Sequence, residues 1–472
     1  MPTTTATSQT IRCFADLPGP RGVPVLGNAL QIQTDRIHQT IEQWGSEFGT
    51  PYGISLGNQK AIVISEPDLI AEALRERPHR FRRFASLERI AEELGVIGLF
   101  SSEGETWQRQ RRAWMKALSV HHVKPFFEQL GEITARLQKR WEAAADAGEA
   151  VDVQADLMRY TVDVTTLFAF GVDTNTLEQE GDLIQEHLAQ FFYMLNRRIG
   201  SPFPYWRWFK LPVDRRLDQS VAVVREFVNN TIAEARQRIA DNPALAEQPT
   251  NLLEALIVAR DEDGSAFTDT EIFGNTLTAL LAGEDTTANT LSWMIHLLSK
   301  HPQEQKQLQA GVDQALGNAP MWSQLEDGDQ LKCIDAVMSE TLRMKPVAPL
   351  IFLCAVEDTV LGDIKIEAGT NLIMSMRMAA VDEQQYKEAD VFRPQRWLEE
   401  KRLFAINPPM PFGGGPRMCP GRSLAQMEIK SVTSMLARNF DIEAIDADNV
   451  GEKHSFTLMP SRLKVRFHRR SA

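Results

Sequence analysis

Cysteine is scarce in this chain, and long apolar runs are absent. The 472 residues include four cysteines, which form neither a CxxC pair nor a cysteine–histidine cluster with zinc spacing. A disulfide framework and a structural zinc site are therefore not expected, and the chain fits a reducing compartment, the cytoplasm. No stretch of about 18 uncharged apolar residues occurs, which argues against a transmembrane anchor. Residues 1–17 also lack the apolar and basic parts of a signal peptide.

Basic residues are fewer than acidic ones, and no linker-like stretch divides the chain. The chain has 51 lysines and arginines against 63 acidic residues, a net charge of −12. This charge disfavours nucleic acid as a partner. A chain of this length would suggest about three domains, yet no Gly/Ser-rich or Pro-rich linker, repeat or low-complexity tract marks a boundary. We therefore expect one large domain at 17–472, preceded by a flexible N-terminal segment at 1–16.

The hydrophobic pattern predicts a mainly α protein with small β-sheets. Two strand-like runs, PYGISLG (51–57) and AIVIS (61–65), flank a turn at 58–60 and predict a hairpin. From about residue 66 to 345 helix formers dominate, and glycine and proline fall mainly between periodic stretches. A second strand-rich patch follows at 360–376. The pattern thus indicates a large helical body with minor sheets at two places.

Within the helical body, residues 269–300 predict one unusually long helix. Thr268 and Glu271 have the spacing of a capping box at its start, and His301-Pro302 marks its end. In its middle, LLAGEDTTANT (280–290) places a glycine, two carboxylates and two threonines in an otherwise apolar stretch. Threonines there can bond back to carbonyls one turn earlier and bend the helix. An exposed polar face of a surface helix would explain the same residues.

A cysteine near the C-terminus lies in a tightly specified setting, PFGGGPRMCPGRSLAQMEIK (411–430). Pro420 fits the first position of the helix that follows, so Cys419 is expected at a helix N-terminus, where the dipole favours a thiolate. The glycines at 413–415 allow the backbone to approach something bulky and flat, and Arg417 supplies a cation. Together these features suit an iron porphyrin. A buried, inert cysteine after a Gly-rich turn is the alternative.

The string F-x-x-G-x-R-x-C-x-G is present whole, and it resembles the haem-binding loop of the cytochromes P450. Four further stretches, all before this string in the chain, are similar to motifs of the same family and occur in the right order. They are WQRQR (107–111), AGEDTT (282–287), ETLR (340–343) and FRPQRW (392–397), the last with tryptophan in place of phenylalanine. The resemblance runs from about Leu17 to the C-terminus and implies the cytochrome P450 fold, in a soluble, bacterial-type haem-thiolate monooxygenase.

The resemblance implies roles for single residues. Cys419 corresponds to the axial ligand of the haem iron, and Asp285 and Thr286 correspond to the catalytic acid–alcohol pair that delivers protons during oxygen activation. The cofactor-binding residues implied by the motifs are Trp107, Arg111, Phe412, Gly415, Arg417 and Cys419. One departure concerns LCAVED (353–358), which offers no arginine where many relatives have another partner for a haem propionate.

Glu340 and Arg343 are three residues apart and share a helix face. An exposed pair of this kind would contribute under about 1 kcal/mol. The resemblance instead implies a buried triad with Arg396, in which planar guanidinium groups bind one carboxylate. We interpret this triad as structural, holding the haem loop in place.

The implied cofactor is haem b (iron protoporphyrin IX), with NAD(P)H used indirectly through a redox partner. The segment after Cys419 is too short for a flavin or iron–sulfur domain, so a separate ferredoxin or flavodoxin with its reductase is expected, acting on a monomer. A basic cluster of Arg109, Arg111, Arg112 and Lys116 suits an acidic partner of this kind. A solvated helix face explains that cluster equally well.

The substrate is expected to be a mainly hydrophobic small molecule of lipid, terpenoid or polyketide size. By family position, the pocket draws on residues 81–100, 183–212, 279–287, 347–352 and 456–459. The aromatic-rich stretch 191–209 is either ordinary core between helices or an apolar access lid.

Two rival functions remain open. The first is a peroxygenase or haem-thiolate isomerase on the same fold, against which the intact Asp285–Thr286 pair argues. The second is a non-catalytic haem-binding sensor, which would need an output domain that the sequence does not show.

Overall fold

The computed structural model describes residues 11–119, 123–179, 184–199, 201, 204–260, 264–399 and 410–470. The helices in these ranges are α1 Ile37–Phe48, α2 Pro67–Arg75, α3 Ala85–Glu93, α4 Gly104–Ala117, α5 Phe127–Ala147, α6 Val153–Phe170, α7 Ile184–Ile199, α8 Pro212–Asp241, α9 Ala244–Glu247, α10 Leu252–Val258, α11 Asp269–Lys300, α12 Pro302–Leu316, α13 Lys332–Met344, α14 Arg396–Glu399 and α15 Arg422–Asn439. The strands are β1 Tyr52–Leu56, β2 Gln59–Ile64, β3 Phe81–Arg83, β4 Ala150–Val151, β5 Leu350–Ala355, β6 Thr359–Leu361, β7 Ile364–Ile366, β8 Asn371–Ser375, β9 Phe440–Ile445, β10 Gly451–His454, β11 Leu458–Ser461 and β12 Lys464–Arg469.

The sheets are small and lie beside the helical body, as the pattern predicts. The largest has the order β1-β2-β8-β5-β3, with β2 and β8 parallel and the other neighbours antiparallel. The predicted hairpin of β1 and β2 is confirmed, but Leu56 pairs with Gln59, so the turn is Gly57-Asn58 and not 58–60. The strand-rich patch at 360–376 forms the hairpin β6–β7 and the central strand β8.

Part of the predicted N-terminal segment contacts the domain. Arg12 forms an ion pair of 2.7 Å with Asp363, and its backbone amide donates a hydrogen bond to the Asp363 carbonyl. Residues 1–10 of the predicted segment lie outside the described residues. No helix in the described ranges has both the length and the apolar character needed to cross a membrane.

Helix α11 runs through the middle of the molecule, with the bounds that the sequence predicts. Thr268 and Glu271 form the capping box, with the Glu271 amide 3.2 Å from Thr268 Oγ1. Every residue from 272 to 299 is buried except Ala282, Gly283 and Thr286. Ala282 and Thr286 are one turn apart and lie on the same face, so these two accessible residues mark a space beside the centre of the helix.

Gly283 allows α11 and α6 to approach closely. A Cβ atom at this position would lie 2.3 Å from Thr165 Oγ1 in α6. The α6 residue Thr161 also donates a hydrogen bond of 2.8 Å to the Glu284 carbonyl. The polar stretch 280–290 is therefore not the exposed face of a surface helix.

Candidate functional site

The loop before α15 holds Cys419 in a cradle of backbone amides. The Cys419 amide donates a hydrogen bond of 2.9 Å to the Phe412 carbonyl and closes the loop. The helix begins at Arg422, so Pro420 is not its first residue, contrary to the sequence-based prediction. The amides of Gly421 and Arg422 still point at the Cys419 sulfur. The expected position at the N-terminal end of the helix is thus correct, with a later helix start.

Without a bound metal, the sulfur is not a stable thiolate. Burial raises the pKa of the Cys419 thiol above its usual value, while the Gly421 and Arg422 amides and the charge of Arg111 oppose the rise. The sequence predicted that the helix dipole would lower the pKa of this thiol. Desolvation has the larger effect, because it disfavours the charged form. Coordination to a metal would deprotonate the thiol outright.

The glycines of the loop have different surroundings. A Cβ atom on Gly415 would lie 2.3 Å from the Leu74 carbonyl at the end of α2, and its φ of +64° is left-handed. Gly415 thus packs the loop against protein backbone. Gly413, with a φ of +71°, has nothing within 4 Å of its Cβ position among the described residues. Of the two, Gly413 leaves the open approach that a flat group would need.

A cluster of buried cations lies beside this loop. Arg417 hydrogen-bonds to the Glu103 carboxylate and to the Ser102 carbonyl, the latter at 2.7 Å, and it lies over the Trp107 ring at 4.4 Å. Arg77 is 3.9 Å from Glu103, and Arg83 is an electrostatic neighbour of Arg77, Arg417 and Glu103. Three guanidinium groups therefore share one carboxylate.

The unmatched charge of this cluster fits a haem. Among the guanidinium nitrogens of these three arginines, five are buried without a hydrogen-bond partner in the described structure, namely Arg77 Nε and Nη2, Arg83 Nε, and Arg417 Nε and Nη1. Burial lowers the pKa of Arg417 to about 10. Buried charges require partners, and the two propionates of a haem would supply two carboxylates. The residues present thus fit the group that the motif predicts.

Two of the predicted cofactor-binding residues lie elsewhere in the site. Arg111 is half-buried, and its Nη2 atom donates a hydrogen bond of 2.7 Å to the Met418 carbonyl, which joins α4 to the cysteine loop. Phe412 is half-buried with Arg422 over its ring. Arg111 is therefore placed near the sulfur of Cys419, and its role in cofactor binding stays a prediction.

Asp285 belongs to a buried polar network. It accepts a hydrogen bond of 2.8 Å from Asn289 Nδ2 and a second from Thr457 Oγ1. Asn289 in turn accepts from half-buried Gln154 at 2.8 Å. Burial raises the pKa of Asp285 to about 6, and the hydrogen bonds from Thr457 and Asn289 limit the rise. This carboxyl group can exchange a proton near neutral pH.

Thr286 lies on the accessible side of α11. Its hydroxyl donates a hydrogen bond of 3.0 Å to the Ala282 carbonyl, one turn earlier, as predicted. Ala282 and Thr286 share a helix face and both reach the space beside α11. Asp285 and Thr286 are adjacent in sequence, yet one is buried in the polar network and the other faces the space.

The predicted ionic triad is buried and larger than expected. Glu340 accepts two hydrogen bonds of 2.9 Å from Arg343, one of 2.9 Å from Arg396 and one of 2.9 Å from the indole of Trp397. The two arginines also donate to carbonyls of residues 380–391. The triad therefore binds the segment 380–397 directly, and the structure shows no direct bond to the described part of the haem loop.

The predicted basic cluster on α4 divides between two faces. Arg109 forms an ion pair of 2.9 Å with Glu271 and lies over the Phe267 ring, so it is directed at the start of α11. Arg112 and Lys116 remain exposed. Only part of the cluster is thus available to a partner.

The aromatic-rich stretch 191–209 is partly ordinary core, and its role as an access lid stays a prediction. Phe191 in α7 and Tyr205 and Trp206 after it are buried in a core cluster, whereas Trp208 and Phe209 are exposed. Residues 200, 202 and 203 lie outside the described residues.

The sequence analysis did not single out Arg77, Arg83, Glu103, Asn289 or Thr457, although the pocket ranges 81–100 and 456–459 include Arg83 and Thr457. The run RPHRFRR (77–83) is a visible basic signal, but such runs usually lie on a solvated surface. Nothing local indicates that Arg77 is buried or that Arg83 is half-buried with its Nε atom out of solvent. Thr457 is 172 residues from Asp285, and only the fold brings them together.

Comparison with known proteins places the chain in a family. The cytochrome P450 family model matches residues 17–467. A self-sufficient cytochrome P450 monooxygenase of Penicillium freii is 28% identical over 470 residues, 97% of this chain and 44% of its own length. A putative cytochrome P450 of Caenorhabditis elegans is 28% identical over 470 residues, 90% of this chain and 88% of its own. Protein LUTEIN DEFICIENT 5, chloroplastic, of Arabidopsis thaliana is 25% identical over 413 residues, 84% and 68% respectively.

The chain therefore belongs to the cytochrome P450 family, a family of haem-thiolate oxidoreductases. The predicted family, the mainly α fold with small sheets and the enzyme class are confirmed. The chain spans less than half the length of the Penicillium relative.

Proposed function

We propose that this chain is a haem-thiolate monooxygenase that inserts one oxygen atom of O2 into a mainly hydrophobic organic substrate. The observation that carries the proposal is Cys419, held in an amide cradle beside three arginines that share the single carboxylate of Glu103 and keep unbonded nitrogens. When bound through a thiolate, haem b supplies oxygen activation and transfer of an oxygen atom to the substrate. The chain itself binds, orients and delivers protons.

Residues on the cysteine side would hold the cofactor. Cys419 is the iron ligand, and the Gly421 and Arg422 amides reduce the electron density on its sulfur by pointing at it. Trp107 and Arg417 stack together and would bind a haem propionate. Arg111 fixes the loop through the Met418 carbonyl, and the Phe412 carbonyl closes it. Gly415 allows the loop to contact α2.

Residues of α11 would move protons. Asp285, with a pKa of about 6, accepts protons from solvent near neutral pH. Thr286 faces the space beside the helix and can donate its hydroxyl proton toward a reacting group there. Because a hydroxyl group rotates about its C–O bond, the Thr286 hydroxyl can turn from the Ala282 carbonyl to another acceptor. The pair thus connects a titrating carboxyl group with the site of chemistry.

The substrate side is apolar and aromatic. Phe84 and Phe352 pack edge to face at 5.3 Å, and Phe100 and Phe456 do so at the same distance. All four rings are half-buried, which suits contact with a hydrophobic molecule of lipid, terpenoid or polyketide size.

Electrons would come from NAD(P)H through a ferredoxin or flavodoxin with its reductase. Arg112, Lys116 and Arg422 are exposed near the cysteine loop, and apolar Met115 and Met418 are exposed beside them. A basic surface with an apolar centre suits an acidic partner. The relative from Penicillium freii is self-sufficient by name, so the donor of this chain is either a separate protein or a fused domain. The free cysteines of the described residues agree with a location in the reducing cytoplasm.

The function is tested by the absorbance spectrum of the reduced protein with CO. Wild-type protein should give the red-shifted Soret band of a thiolate-ligated haem, and Cys419→Ser should abolish it. Cys333→Ser is the matched control, because Cys333 is a half-buried cysteine in α13 outside the site, and it should keep the band. A red-shifted band in Cys419→Ser would rule out the ligand assignment.

A further inference from the structure

Arg83 lies next to the strand that lacks the expected arginine. Strand β3 pairs with β5, and Arg83 is opposite Leu353 in the register. The β5 sequence LIFLCA contains no cation. A cation absent from one strand can be replaced by one from its hydrogen-bonded neighbour, since paired residues lie about 5 Å apart.

Among the described residues, the side chain of Arg83 has two cations as neighbours and one carboxylate, which other groups already engage. Arg77 and Arg417 are its nearby charges, with Glu103 as the single acid. The Glu103 carboxylate is already engaged by the Arg417 side chain and by the Arg83 backbone amide, the latter at 3.0 Å. Arg83 Nε is buried without a hydrogen bond. This environment is unfavourable for a guanidinium unless a further anion binds.

The flat face of Arg83 contacts the substrate side of the site. Its guanidinium carbon lies 3.9 Å from the centre of the Phe100 ring. Phe100 in turn packs edge to face against Phe456, which precedes Thr457, the partner of Asp285. Arg83 therefore has an unmatched edge toward the cation cluster and a stacked face toward an aromatic pair.

We propose that Arg83 binds a haem propionate with its edge and fixes the orientation of Phe100 with its face. It would thereby replace the arginine missing from β5 and act as a positioning residue for the substrate pocket. The proposal rests on the proposed function, because it requires haem in this site.

Two substitutions of Arg83 test the propionate contact of the guanidinium edge separately from the Phe100 contact of its face. Arg83→Gln removes the charge, and loss of a hydrogen bond to a charged group should speed haem release by about 10- to 100-fold. Arg83→Lys keeps the charge but loses the planar stacking surface. It should retain haem within about twofold of wild type and weaken contacts that depend on Phe100 by roughly two- to fivefold.

The experiment uses purified holoproteins and two readouts. Haem release is followed by transfer to excess apomyoglobin. The Phe100 contact is followed by the ratio of Kd values for 4-phenylimidazole and imidazole, which differ by one phenyl group. Arg82→Gln is the matched control, because Arg82 precedes Arg83 on the opposite face of β3 and pairs with Glu88 at the surface at 3.1 Å. It should leave both readouts unchanged.

The outcomes are distinct. Equal haem release from Arg83→Gln and Arg82→Gln would overturn the propionate contact. An unchanged Kd ratio in Arg83→Lys would overturn the positioning of Phe100, whereas effects of Arg83→Lys and Phe100→Ala that do not add would support it. If wild-type protein bound no thiolate-ligated haem, the proposed function itself would fail first.

Discussion

Thr457, in the turn between β10 and β11, donates a hydrogen bond to Asp285 in the middle of α11. The same hydroxyl accepts a hydrogen bond of 3.1 Å from Asn289. The Asp285 carboxyl group thus joins the central helix to the β10–β11 hairpin, which carries Phe456. Because these bonds favour the charged carboxylate while burial disfavours it, the pKa of Asp285 comes to about 6. Proton exchange near neutral pH depends on this balance.

Asp285→Asn should remove a pH dependence of product formation. In the wild type, Asp285 keeps its proton below about pH 6 and loses it as the pH rises, so proton delivery should fall through that interval. The amide does not titrate, so the variant should be slower by roughly 100-fold and flat with pH. The measurement is the rate of product formation from pH 5 to 8, with a substrate found by its shift of the ferric Soret band.

Thr457→Val provides the companion test for this profile. Loss of the Thr457 hydrogen bond should raise the pKa of Asp285 further and move the midpoint to higher pH. Thr276→Val is the control, because Thr276 is a buried hydroxyl of the same helix bonded to the Ile272 carbonyl. A wild-type profile in Asp285→Asn would exclude Asp285 from proton delivery.

Thr286→Ala should express and bind haem normally but lose coupling. Among the described residues, its hydroxyl bonds only to the Ala282 carbonyl of its own helix, so stability should change by under about 1 kcal/mol. Without the hydroxyl, consumed NAD(P)H should appear as peroxide and not as product. The check is the ratio of peroxide to product per NAD(P)H oxidised, with Thr276→Val again as control. Unchanged coupling would remove Thr286 from the mechanism.

Glu340→Ala should prevent accumulation of stable, haem-loaded protein. Burial would raise the pKa of Glu340, but its bonds to Arg343 and the charges of Arg343 and Arg396 bring it below the usual value. Removing the carboxylate leaves two buried cations and costs roughly 3–5 kcal/mol, comparable to the whole stability of a small domain. The measurement is thermal denaturation together with the haem-to-protein absorbance ratio.

The control for the triad is an exposed ion pair. Lys60 and Glu367 lie 2.7 Å apart at the surface, and Glu367→Ala should denature like wild type. The pH dependence of the triad follows from the lowered pKa of Glu340. Its contribution to stability is present above the unfolded-state pKa and is lost as the pH falls through the lower folded-state pKa. Normal stability of Glu340→Ala would show that the triad contributes little.

Local patterns predicted the parts of this protein that depend on local chemistry. The capping box at Thr268 and the end of α11 at His301 follow from residue types alone, and so does the shared face of Glu340 and Arg343. The pKa of Cys419 could not be predicted in this way, because burial by distant segments outweighs the helix dipole. Arg83 was missed for the same reason, since a basic run gives no sign of which arginine is buried.

Gly283→Ala should destabilise the contact between α11 and α6. Alanine favours a helix over glycine by about 1 kcal/mol, but its Cβ would lie 2.3 Å from Thr165 Oγ1 and 2.9 Å from Thr165 Cγ2. Overpacking of this kind costs about 1–3 kcal/mol, so the net effect should be a loss of stability. Thr165→Ala removes both clashing atoms, and the double variant should therefore be more stable than Gly283→Ala alone. The four proteins are compared by denaturant unfolding of the haem-loaded forms. Strictly additive free energies would mean that the two residues do not touch, because contacting residues couple by about 0.5–3 kcal/mol.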